Sequence, residues 1–126
     1  MSPELDRALC ERYPKIFVDR HASRYETSMC WGFCVEDGWY DLIDILCQQL
    51  QQQVDQEALP QIVATQVKEK FGTLRFRVRT PSPTQREVIR LAEAMSERIC
   101  DICGRVAIFW PKADKAAGKH CDHNAR

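Results

Sequence analysis

Ile62-Val63-Ala64-Thr65-Gln66-Val67-Lys68-Glu69-Lys70-Phe71-Gly72-Thr73-Leu74-Arg75-Phe76-Arg77-Val78-Arg79 decides the fold, because its second half reads clearly as a strand. Leu74, Phe76 and Val78 alternate with Arg75, Arg77 and Arg79, and a period of two sends the apolar residues to one face and the arginines to the other. The first half is open to two readings. Ile62 to Val67 has strand composition, yet Val63, Val67 and Phe71 also fit a helical stripe that ends at Gly72. A β-hairpin over 62–79 is the expectation.

Helical patterns flank it on both sides. Ser2 can cap a helix whose first turn holds Pro3, Glu4 and Asp6, with Leu5, Leu9 and Tyr13 on one stripe and Pro14 as the stop. A short Ile16-Phe17-Val18 run follows, and 19–29 is polar and aperiodic, as a loop would be. Asp37 is placed to cap a helix from Trp39 to about Val54, with Trp39, Leu42, Ile43, Leu46, Leu50 and Val54 on its apolar side. Ser82, Pro83 and Gln85 make a capping box for a third helix, whose buried stripe is predicted as Val88, Leu91, Ala92, Met95 and Ile99. Val106 to Trp110 reads as a short strand and Pro111 to Lys119 as a loop.

These patterns predict an α+β fold of small helices packed on an antiparallel hairpin or sheet. Residues 1–81 would form the core, and 82–126 a helix plus a knuckle packed on it as one structural domain. A chain of 126 residues buries roughly two-thirds of its unfolded surface, which suits one core and not two. No apolar run approaches the ~18 residues of a membrane span, and the first residues lack the pattern of a signal peptide, so a cytoplasmic protein is expected.

The C-terminal end carries the chemistry. Cys100-Asp101-Ile102-Cys103-Gly104 places two thiols at C-x-x-C spacing, and Lys119-His120-Cys121-Asp122-His123 follows at a distance suited to the second half of a zinc ribbon or treble-clef knuckle. Cys100, Cys103 and Cys121 are the expected ligands of one structural zinc ion, with His123 as the fourth and His120 as the alternative. Thiolates bind zinc strongly, whereas seven cysteines are an odd number for a disulfide framework. Cys30 and Cys34 could form a second half-site with His21 or Cys10, but thiols set among aromatics are more often buried apolar groups, and Cys47 falls on the apolar side of its helix. No H-E-x-x-H or H-x-E…P-C-x-x-C arrangement supplies a general base beside an open metal position, so an enzyme is not expected.

Three segments carry a family resemblance: Asp37-Gly38-Trp39-Tyr40-Asp41-Leu42-Ile43-Asp44, Gln66 to Phe76, and Cys100-x-x-Cys103-Gly104 with the late Cys121-Asp122. Together they resemble a family of small, uncharacterised phage- and prophage-encoded proteins with a C-terminal zinc knuckle. Members end in C-x-x-C or C-x-x-H, whereas here Asn124 holds the last position and His123 precedes it. That departure leaves the fourth ligand open between His123 and His120. The resemblance implies a phage setting, in the host cytoplasm, and no transferable activity; it favours a protein that works by binding.

Charge bears on what is bound. The formal net charge is zero, but residues 1–60 carry five Lys/Arg against eleven Asp/Glu, and residues 61–126 thirteen against seven. Attraction between the halves, within one fold or a homodimer, is the first explanation; an acidic partner for the C-terminal half is the second. Two functions follow. One is an interaction protein that binds a host or phage protein, such as an inhibitor of host defence, through Arg75, Arg77, Arg79, Lys68 and Lys70. The alternative is a nucleic-acid-binding module that sets the same residues and the knuckle's Lys112, Lys115 and Lys119 against phosphates. A chain without net positive charge has little long-range pull on DNA, which ranks the protein partner first.

Overall fold

Ser2 opens α1 (Pro3–Arg12) as its sequence predicts, its hydroxyl accepting the Leu5 amide at 3.3 Å. The computed structural model describes residues 1–106 and, beyond them, the backbone of 108–109 and 119–120. Leu9 and Tyr13 of the predicted stripe are buried. The Tyr13 hydroxyl donates to Asp44 on the next helix at 2.6 Å, and burial pushes its ionisation well above the ordinary range.

The chain then runs through turns to a 3-10 turn at Ser28–Trp31 and a two-residue strand, β1 (Phe33–Cys34). A second 3-10 turn, Asp37–Trp39, leads into α2 (Tyr40–Glu57). Asp37 is therefore not the cap of α2. Its carboxylate instead accepts the Ser2 amide at 2.7 Å, tying the start of α1 to the approach of α2. Leu42, Ile43, Leu46, Cys47 and Leu50 face the core as expected. The helix continues three residues past Val54, because Asp55, Gln56 and Glu57 favour no other structure, and it ends where Ala58 turns left-handed ahead of Pro60.

The decisive stretch is a hairpin, β2 (Ala64–Lys70) and β3 (Thr73–Val78). Phe71 and Gly72 both take positive φ, 56° and 80°, which gives a two-residue turn whose twist matches the strands. The Glu69 carboxylate accepts the Gly72 amide at 2.6 Å and holds the turn. A bulge between Ala64 and Gln66 resets the alternation, so Ala64 is fully buried although Gln66 and Lys68 point to the other face. The sheet is not purely antiparallel. β1 joins β2 in parallel, with Phe33 beside Val67 and Cys34 beside Lys68, giving the order β1-β2-β3.

One apolar core lies between this sheet and the three helices. Phe17 meets Phe33 edge-on at 4.9 Å and Phe76 at 6.4 Å, with Trp39, Ile43, Leu46, Leu50, Val67 and Leu74 around them. The third helix, α3 (Pro83–Ser96), starts with the capping box read from Ser82 and Gln85. Its buried side matches the predicted one only in part: Ala92 is buried and Val88 and Ile99 pack half-buried against the core, but Leu91 and Met95 do not. Gln85, Ile89, Ala92 and Ser96 face inward, whereas Leu91 is 63 % and Met95 48 % exposed. Hydrogen bonding sets this rotation. Gln85 Nε2 donates to the Pro60 carbonyl at 2.6 Å, while Ser96 Oγ and Glu93 Oε2 accept the Leu74 and Phe76 amides at 2.8 and 2.9 Å. β3 is an edge strand, and these two side chains close it against further pairing. No helix among the described residues is long and apolar enough to cross a membrane.

Candidate metal knuckle and basic sheet face

α3 delivers the chain to the first cysteine pair. Three tightened turns, from Glu97 to Ala94, Arg98 to Met95 and Ile99 to Ser96, end the helix and set Ile99 opposite Val106 in an antiparallel bridge. Between these two residues the backbone folds back on itself. The Cys100 amide donates to the Arg105 carbonyl at 2.7 Å and the Gly104 amide to the Cys100 carbonyl at 2.8 Å. Gly104 sits at φ 78°, a conformation in which an L side chain is strained. Cys100 and Cys103 thus belong to one tight turn, Cys100 buried and Cys103 half-buried.

After Val106 the chain passes through β4 (Ile108–Phe109) and returns antiparallel through β5 (Lys119–His120), with Ile108 opposite His120. Cys121, His123 and the predicted loop residues Lys112 and Lys115 lie outside the described residues, as do the side chains of Lys119 and His120. Among the described residues no group of three or more His, Cys, Asp or Glu side chains could hold a metal.

The Cys100–Gly104 turn rests on the Asp37-Gly38-Trp39 segment that leads into α2. The Gly38 amide donates to the Asp101 carbonyl at 2.8 Å, and the Trp39 indole N–H donates to the Ile99 carbonyl at 2.9 Å. A Cβ at Gly38 would fall on the Cys100 carbonyl oxygen and come within 2.6 Å of the Asp101 carbonyl, and one at Gly104 would lie 3.1 Å from the Gly38 oxygen. The two glycines allow two stretches of backbone to touch.

The register assembles the basic face. Phe33, Val67 and Phe76 form a row across the three strands toward the core, so the adjacent row, Cys34, Lys68 and Arg75, lies on the opposite face. Gln66 with Arg77, and Lys70 with Thr73, flank it. No ion pair joins Lys68, Lys70, Arg75 or Arg77 to a carboxylate among the described residues, and the Arg75 Nε is buried without a hydrogen-bond partner there. Arg79 departs from the expected set. It pairs with Asp19, a contact that fastens the end of the hairpin to the loop after α1.

The remaining thiols do not gather. Cys10 donates to Asp6 at 3.6 Å, and burial together with that carboxylate pushes its pKa up to about 11. Cys30 bonds the Thr27 carbonyl, Cys34 is exposed, His21 is exposed, and Cys47 is fully buried, with burial pushing its thiol pKa well up. The Asp6 carboxylate is held instead by the Arg20 guanidinium at 2.9 Å, which also donates to the Cys30 carbonyl. Comparison of the chain with protein-family models, with curated proteins and with solved structures returned no match.

Proposed function

We propose that this chain is a non-enzymatic interaction protein of phage type, stabilised by structural zinc, whose sheet face receives an acidic surface of a host or phage protein. The observation that carries the proposal is the row of Lys68, Lys70, Arg75 and Arg77 on one face of the sheet, which no carboxylate of the described residues pairs. Attraction between the oppositely charged halves does not consume it, since among the ion pairs of the described residues one alone, Arg79 with Asp19, joins the two halves. Toward α3, Arg77 lines a cleft of mixed charge with Arg86, Arg90 and Glu93.

A protein partner fits better than a nucleic acid. The face positions Gln66, Lys68, Lys70, Thr73, Arg75 and Arg77 hold no aromatic ring on which bases could stack, and the nearby Phe71 lies at the hairpin tip with the Lys70 ammonium over its ring at 5.7 Å. Phe71 is 78 % exposed, and exposed aromatic rings are enriched at protein interfaces. Zinc, held by Cys100, Cys103, Cys121 and His123, or His120 in place of His123, would supply folding energy to the C-terminal segment and no chemistry. The phage setting and the host cytoplasm rest on the resemblance of the three segments described above. An inhibitor of host defence is one protein of this kind.

The test compares the parent with a variant in which Lys68, Lys70, Arg75 and Arg77 are all Gln. Affinity capture from host lysate treated with nuclease should retain an acidic protein on the parent and lose it on the variant. Saturable sub-micromolar DNA binding at physiological salt, lost in the variant with a reduced salt slope, would reverse the choice in favour of nucleic acid.

A further inference from the structure

We propose that Gly38 and Trp39 are the seat of the metal knuckle: they hold the 99–104 turn in the shape that brings Cys100 and Cys103 to one ion, so zinc binding and ordering of the approach to α2 are coupled. This rests on the zinc reading of the preceding subsection. Two hydrogen bonds from consecutive residues, Gly38 N–H to Asp101 and Trp39 Nε1–H to Ile99, fix the backbone on either side of Cys100. The close approach of Gly38 to Cys100 leaves no room for a side chain at Gly38, and at Gly104 a Cβ would meet the Gly38 oxygen tightly at a φ of 78° that strains any L residue. Trp39 is fully buried, so the seat is anchored in the core and not in a mobile surface loop.

The coupling follows from what a metal needs. Two thiols in a flexible turn must be ordered when the ion binds, and that ordering weakens affinity; a turn already clamped to the core escapes this cost. By linkage, whatever the seat adds to zinc affinity, zinc returns as protection of the seat. Gly38 is thus a positioning residue: it reaches the site through the backbone of 100–101 and touches no ligand atom of the ion.

The experiment uses the full chain with Zn2+ bound, and after removal by a chelator. Exchange of the Gly38 amide and the Trp39 indole proton should slow by at least about tenfold with zinc. Zinc affinity, measured by competition with a chromophoric chelator, should fall about tenfold or more in Gly38→Ala and less in Trp39→Phe, which keeps a smaller aromatic ring in the core and removes the donor. Leu46→Ala, destabilising but remote from the turn, separates positioning from general weakening and should leave zinc affinity within about twofold of the parent. Should Gly38→Ala fail to fold, the exchange data on the parent and the Trp39→Phe affinity decide alone. A parent that binds zinc with unchanged exchange at Gly38, or a Leu46→Ala loss equal to that of the seat variants, overturns the coupling and leaves the zinc reading standing. A parent that binds no zinc overturns both.

Discussion

Ser96→Ala tests the docking of α3, the helix that leads into the Cys100–Gly104 turn. Ser96 is fully buried; its Oγ accepts the Leu74 amide at 2.8 Å and donates to the Glu93 carbonyl at 2.5 Å. Leu74 is itself fully buried on the edge strand, so alanine leaves its N–H with neither β-partner nor water. An unsatisfied buried donor costs about 1–3 kcal/mol. Alanine's better helix propensity returns up to about 0.5 kcal/mol, because position 96 is the last of α3 and propensity counts least at helix ends. The net expectation is a loss of roughly 1–2 kcal/mol. For a domain of this length that lowers the melting temperature by about 3–10 °C. Thermal melts followed by far-UV circular dichroism give the number, and Glu93→Gln is the control. It keeps an acceptor for the Phe76 amide and should change stability by less than about 0.5 kcal/mol. Ser96→Ala melting within a degree of the parent, or Glu93→Gln proving as damaging, would refute the assignment of edge closure to these side chains.

Leu46→Ala removes a large side chain that is 2 % exposed in the α2 face of the core and should cost about 2–5 kcal/mol by chemical denaturation; a midpoint equal to the parent's would place the helix outside the core. Stability should also fall at alkaline pH. Cys10 is held protonated up to about 11 in the fold, against an ordinary value of 9.0 in the unfolded chain, so its contribution is complete below about pH 9 and is lost as pH rises through about 11. Cys10→Ala should flatten part of that decline, and a parent whose stability is level from pH 8 to about 11 contradicts the environment assigned to the thiol.

Local signals were legible where one residue does one job. Ser2 and Ser82 read as caps because a hydroxyl before Pro has few other uses, and both accept the amides expected of them. The hairpin was legible in its second arm from strict alternation, and ambiguous in its first because the bulge at Ala64–Gln66 breaks the period of two. β1 was not legible. Two residues carry no period, and Phe33–Cys34 becomes a strand only because Val67 and Lys68 lie beside it. Asp37 misled for the opposite reason: its side chain suits a cap, but Ser2, distant in sequence, claims it. The Cys100-x-x-Cys103 spacing is legible as a candidate half-site, whereas the contact of its turn with Gly38 joins residues more than 60 positions apart that no local pattern encodes.

The inner face of α3 joins these observations to the function. Hydropathy pointed Leu91 and Met95 inward; the structure puts Gln85 and Ser96 there, because a buried carbonyl at Pro60 and a strand edge at Leu74 each need a partner. A buried amide left unpaired is more costly than a half-exposed leucine, so hydrogen-bond demand outranks hydropathy in setting the rotation of this helix. The same ordering governs the sheet. Its edge at β3 is closed by Ser96 and Glu93 of α3, and β1 offers only two residues at the other, so strand addition is blocked along β3. Lys68 and Lys70 on β2 and Arg75 and Arg77 on β3 have no carboxylate partner among the described residues. On the function proposed above, charge, and not a free strand edge, is therefore what the sheet would present to a partner.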